Sequence, residues 1–233
     1  MASITPDMQL AQALARYSDW WVMRDLLIPA DENHTMHMDF LVVSPRCIFI
    51  GEIKTFRGNL TGCGMNKYWK QYVGTEEIDF FSPIHQNLYH IRALKEFLRD
   101  IPFDLHFHSI VFMQQTGEGS MKINSPFPPD TSVVTSMDAL LRITQLISER
   151  KPMDLTPGEA KYVYDYICKH QLHGEEARAA HAQQARSYKL NARKALMQQI
   201  CPECLSPLTQ VATPTANYWV CSRYPDCQYT HKM

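Results

Sequence analysis

Met38–Lys54, MDFLVVSPRCIFIGEIK, holds two apolar runs, Phe40–Val43 and Ile48–Ile50, joined by Ser44-Pro45-Arg46-Cys47. Aliphatic and aromatic runs broken by a Ser-Pro turn predict a β-hairpin. A four-residue loop pairs Val43 with Ile48, Leu41 with Ile50 and Asp39 with Glu52. Side chains alternate with a period of two, so this register puts Asp39, Glu52 and Lys54 on one face with those aliphatic residues. A loop one residue shorter moves Asp39 to the other face. Carboxylates on neighbouring strands sit roughly 5 Å apart. That is close enough to share one hard divalent cation, which keeps several waters and recruits substrate phosphate. Lys54 then points at the same place, where it suits developing phosphate charge or deprotonation of a bound water. The same residues also fit two solvated strand ends with a surface ion pair.

The surrounding chain favours the first reading. After the hairpin come Gly58 and Leu60, then Trp69, then the helix start Ser82-Pro83-Ile84-His85-Gln86. From about Asp7 to Leu98 the order and spacing of these pieces resemble the nuclease-related domain family, a branch of the PD-(D/E)XK nuclease superfamily. The resemblance implies a restriction-endonuclease-like core with Mg2+ or Mn2+ held by Asp39, Glu52 and the Ile53 carbonyl. It also implies that Lys54 works beside the ion and that Gln86 reaches back to the site from its helix. A solvent-facing Gln86 is the alternative. Two positions depart from the family: Asp7 stands where the first helix carries a glutamate, and Gly51 where an aliphatic residue is usual. Asp7 is thus either a site residue or a helix-capping acid.

A chain of 233 residues with 45% hydrophobic content can bury one good core and carry a small appendage. The net charge of −1 announces no polyanion partner for the whole protein. No apolar run approaches a membrane span and MASITPDMQ lacks a secretory pattern, so a cytoplasmic protein is expected. Further strands are expected at Val22–Ile28, in two short pieces between Gly58 and Trp69, at His108–Gln114 and at Ser132–Val134. Helices are expected from Thr5-Pro6, Ser82-Pro83 and Ser136, and from the capping box Thr156-Pro157-Gly158-Glu159. Met121–Asp130, with three prolines, reads as a loop. The sum is an α/β (α+β) fold with a single mixed sheet flanked by helices. The pairs His34/His37 and His106/His108 are weak metal candidates, and Tyr68, Trp69 and Tyr72 suit either base stacking or a core edge.

Composition changes beyond Gly174. Glu175–Gln199 is rich in Ala, Gln and Arg and predicts a helix of roughly 37 Å. Its residues Arg186, Lys189, Arg193 and Lys194 suit a phosphate backbone or simple solvation. Cys201-x2-Cys204, sixteen residues, then Cys221-x5-Cys227 follow. Two such cysteine turns can close a tetrahedral zinc site, which would supply the folding energy of so small a segment. The wording Cys-Pro-Glu-Cys…Trp-Val-Cys-Ser-Arg-Tyr-Pro-Asp-Cys resembles the zinc ribbon of type IA topoisomerases, which implies single-stranded DNA as its partner. Tyr218, Trp219, Tyr224 and Tyr229 are the candidate stacking surfaces, with Arg223 and Lys232 for phosphate, and some of these rings must instead cover the small ribbon's core. The expected organisation is a nuclease-like domain over 1–173, a basic helical linker over 174–199 and the ribbon over 200–233. The expected function is metal-dependent cleavage of DNA, endonucleolytic rather than exonucleolytic. A non-catalytic DNA-binding scaffold and a protein-binding adaptor are the alternatives.

Overall fold

The computed structural model describes residues 5–15, 17–31, 34–151, 153–214 and 216–233. Helix α1 (Pro6–Leu14) leads into three antiparallel strands, β1 (Trp21–Pro29), β2 (Thr35–Val43) and β3 (Ile48–Phe56). After β4 (Asn59–Cys63), β5 (Tyr68–Val73) and β6 (Glu76–Phe81), helix α2 (Pro83–Phe97) crosses over to β7 (Phe107–Gln115), which joins β3 in parallel. Then follow β8 (Met121–Asn124), β9 (Thr131–Val134), α3 (Met137–Arg150), α4 (Pro157–His170) and α5 (Gly174–Met197). The ribbon carries β10 (Leu208–Ala212), β11 (Asn217–Cys221) and β12 (Thr230–Lys232). The central sheet is mixed, in the order β1-β2-β3-β7-β9.

Both faces of that sheet are covered, which explains the continuous apolar runs of its strands. Leu41, Val43, Ile48 and Ile50 pack with Leu94 and Leu98 at the end of α2 and with Val163 and Ile167 of α4. Phe40, Val42 and Phe49 pack on the opposite face with Leu10 and Leu14 of α1 and Leu140 of α3. The hairpin has the register expected from its loop, with Val43 opposite Ile48 and Leu41 opposite Ile50.

Alternation breaks at one place. Met23 and Leu26 of β1 lie in the same cluster although three residues apart, and so do Met38 and Leu41 of β2. The facing residues between them are Asp25, whose φ is +52°, and Asp39. A left-handed Asp in a strand is tolerated because its short polar side chain finds local partners.

A second, four-stranded sheet, β6-β5-β4-β8, adds to the single sheet that the sequence predicts. Its edge corrects the loop expected over Met121–Asp130, since Met121–Asn124 pairs in parallel with Leu60–Cys63. All three prolines lie beyond that strand and leave its N–H groups free to pair. Outside the C-terminal cysteine cluster, Cys47 is buried and Cys63 and Cys168 are half-buried. Among the described residues no helix is long and apolar enough to cross a membrane.

Gly51 has a packing cause. It faces Phe40 across the hairpin, and a Cβ on Gly51 would stand 1.9 Å from Phe40 Cζ. The ring is fully buried and fills the space that an aliphatic side chain would take. Gly51→Val is therefore expected to destabilise the protein by about 3 kcal/mol through overpacking. Adding Phe40→Leu should recover part of that loss in urea unfolding. An unchanged midpoint for Gly51→Val alone would show that the ring moves aside freely.

Candidate functional site

Glu52 is 3% exposed and lies on the side of β3 that faces α2. Its Oε1 is 2.6 Å from Lys54 Nζ, and its Oε2 is 3.8 Å from His90 Nδ1. Burial pushes the Glu52 carboxyl up to about 7; Lys54 draws it down and the charge of Asp39 pushes it further up. Asp39 does not continue the ladder opposite Glu52. At the break in alternation its Oδ2 accepts the Ile53 N–H at 2.6 Å, and its Oδ1 lies 3.9 Å from His37 Nδ1. The direct Asp39–Glu52 strand pairing that the loop length predicts is therefore not formed, and Asp39 binds the strand one residue further on.

Asp39 opens onto a cleft of about 450 Å³ that is also lined by Asp7, Asp25, His37 and Ile53. Asp7, the departure in the first helix, therefore reaches the same cleft, with its Oδ2 3.3 Å from Arg24 Nη1. His37 Nε2 is 2.7 Å from Asp25 Oδ1, whereas His34 pairs with Asp31 at 2.8 Å. The two histidines thus engage different acids. His106 is likewise engaged with Asp154 and His108 with Ser132.

Helix α2 contributes differently from expectation. Gln86 is half-buried in the first turns, and among the described residues its side chain makes no hydrogen bond. Asn87 and His90 face the sheet instead. The Asn87 amide nitrogen lies 2.9 Å from the Ile50 carbonyl and 3.1 Å from both Ser109 Oγ and the Ile110 carbonyl. Its Oδ1 therefore remains to accept from His90 Nδ1–H at 3.2 Å. Burial pulls His90 down to about 3, so a neutral imidazole stands beside Glu52. One local signal connects them to the buried face: Asn87 stands three residues after the buried Ile84, and His90 three after Asn87.

Residues 7–114 match the nuclease-related domain family. That span holds Asp7, Asp39, Glu52, Lys54 and Gln86 and runs through β7. An uncharacterized protein of Bacillus anthracis is 25% identical to this chain over 76 residues, which cover 33% of this chain and 36% of that one. The chain thus spans about a third of the length of that relative. No solved structure matches the chain significantly.

Outside the nuclease-related segment, Cys201, Cys204, Cys221 and Cys227 bring their Sγ atoms within 4.8 Å of one another. The Cys201–Cys227 and Cys204–Cys221 sulfurs are 3.7 and 3.4 Å apart. Zn–S bonds of about 2.3 Å in a tetrahedron require about 3.8 Å between sulfurs, whereas a disulfide requires about 2.05 Å. The donor set therefore fits a zinc ion. The ribbon rests on the second sheet of the nuclease-related segment. There the Tyr68 hydroxyl donates to Glu203 Oε1, Lys67 Nζ lies 3.4 Å from Glu203 Oε2, and Tyr229 packs edge-on against Tyr68.

Helix α5 has no buried residue, yet it is anchored. Arg178 holds Asp25 at 2.8 Å, and His181 and Gln184 bind Thr35 at the start of β2. Arg186, Lys189, Arg193 and Lys194 are all exposed. Of the ribbon candidates, Arg223 and Tyr224 are exposed, Trp219 packs against the ribbon core and Tyr218 lies 5.4 Å beneath Lys70 Nζ. The side chain of Lys232 falls outside the described residues.

Proposed function

We propose that the protein is a metal-dependent nuclease that cleaves DNA phosphodiester bonds. The observation that carries this reading is Glu52, an almost fully buried acid matched by Lys54 and influenced by Asp39, within a segment that matches a nuclease-related family. Asp39, Glu52 and the Ile53 carbonyl would hold Mg2+ or Mn2+. Such an ion, when bound, activates water and offsets phosphate charge. Glu52 is fixed by β3, with Asn87 tying α2 to the strand carbonyls beneath it. Neutral His90 brings no competing cation to the site. Lys54, 35% exposed, can turn from Glu52 to a scissile phosphate. Asp7 would add a carboxylate at the cleft, and Gln86 would orient the attacking water.

The four cysteines would hold structural zinc as thiolates, a chemistry that suits a reducing cytoplasm. Arg186, Lys189, Arg193 and Lys194 would follow the DNA backbone. Arg223, Tyr224, Tyr218 and Trp219 would engage it at the ribbon. Residues 1–173, 174–199 and 200–233 would act as cutting domain, basic strap and ribbon.

The test is incubation of zinc-loaded protein with supercoiled plasmid and single-stranded DNA in Mg2+ or Mn2+. Lys54→Ala is expected to reduce cutting at least about 100-fold with the fold and zinc content unchanged. Equal cutting by both proteins would refute the assignment of the site. Binding without cutting would leave a non-catalytic scaffold.

A further inference from the structure

A cleft of about 660 Å³ opens where three parts of the chain meet: the second sheet with α2, the C-terminal half of α5, and the ribbon. Five of its lining residues are aromatic: Tyr68, Phe81, Tyr89, Tyr188 and Tyr229. Tyr68 and Tyr229 build its floor. Phe81 and Tyr89 stack with centroids 5.8 Å apart and planes 28° apart. Tyr89 remains 42% exposed and Tyr188 62% exposed, so two rings of different elements border one open space. Exposed tyrosines beside a cavity of this size are poor core residues and good stacking platforms.

The charges around it favour an anion-bearing ligand. Glu203 lies in the cleft, but its carboxylate is engaged by the Tyr68 hydroxyl and Lys67. Arg223 lines the cleft, and Arg92 lies 5.7 Å from the ring of the lining residue Tyr89. Neither arginine has an acid partner among the described residues. Asp226 is the remaining acid of the lining. Aromatic faces beside two unpaired arginines match a base and its flanking phosphates. A duplex keeps its base faces stacked internally, so only an unpaired nucleotide can present one to the cleft.

We infer that this cleft binds an unpaired nucleotide of single-stranded DNA, with Tyr89 and Tyr188 as its stacking surfaces. The inference rests on the nucleic-acid reading above but requires no catalysis. The ribbon then acts as one wall of a shared site, and the nuclease-related segment and α5 supply the stacking rings.

The test uses the zinc-loaded full chain carrying Glu52→Gln, so that the probe survives, with fluorescein-labelled dodecathymidine and the same probe annealed to its complement. Tyr188→Ala and Tyr89→Ala are each expected to weaken single-strand binding about ten-fold and duplex binding less than two-fold. Tyr188→Phe and Tyr89→Phe should retain the parent affinity. A 5-iodouracil probe should crosslink to Tyr89 or Tyr188. Unchanged single-strand affinity in both alanine variants, equal losses for both probes, or crosslinks confined to other residues would overturn the inference. Plasmid cutting by the Glu52-containing protein reports separately on the nuclease reading, which survives any of those outcomes.

Discussion

Glu52→Gln is expected to reduce metal-dependent cleavage by about 1000-fold while making the metal-free protein more stable above neutral pH. The two effects share one cause. An ordinary glutamate loses its proton near 4.5, but Glu52 in the fold holds its proton up to about 7 because burial disfavours the charge. Between those values the folded chain binds a proton that the unfolded chain has released, so stability falls as pH rises through this window. Below it, both states are protonated and the residue contributes nothing. Above it, the cost amounts to about 3 kcal/mol, and glutamine does not incur it. Lys54 loses its partner in the variant but reaches water through its exposed side. Urea unfolding at pH 5 and pH 8, without divalent metal other than bound zinc, should show the gap between variant and parent widening toward pH 8. A constant gap would contradict the desolvated acid, and a variant that still cuts would remove Glu52 from the reaction.

Strain against function at this residue also explains what the sequence could reveal. The register of the hairpin follows from loop length and the two apolar runs, both local in the chain. Ion pairing between Glu52 and Lys54 follows from their spacing along one strand. Asp39 was harder. Its departure from strict alternation depends on Asp25, fourteen residues earlier, adopting a left-handed conformation, and no periodicity announces that. On α2, a stripe drawn through apolar residues passes through Leu88 and Ile91, which are half-buried, and omits Asn87 and His90, which are buried. A polar residue enters a core when the partners awaiting it are in place. Those of Asn87 are carbonyls and a hydroxyl on two other strands. The cysteine knuckles were legible because metal spacing is local. Their seat on Tyr68 was not, since Tyr68 and Glu203 are separated by 135 residues. That contact turns a terminal appendage into one wall of a cleft.

Cys221→Ser, which removes one of the four clustered thiols proposed to hold zinc, is expected to abolish stoichiometric zinc and unfold residues 201–233, with β1–β3 and β7 intact. Of the five buried residues in the ribbon cluster, three are cysteines; Leu208 and Tyr229 are the others. Two such side chains contribute only about 3–6 kcal/mol of burial, whereas ordering even a dozen residues costs about 12–24 kcal/mol. Structural zinc typically supplies about 10–16 kcal/mol, so the metal decides whether the ribbon folds. The central sheet has its own two clusters, above and below, and does not depend on that ion. Hydrogen exchange should therefore show protection lost across β10–β12 and retained across β2 and β3. Contacts from Glu203 to Tyr68 and Lys67 should break with the ribbon, opening the aromatic cleft and removing its Arg223 wall. Full protection of 201–233 in protein shown to lack zinc would mean that packing on Tyr68 and α5 holds the ribbon without metal.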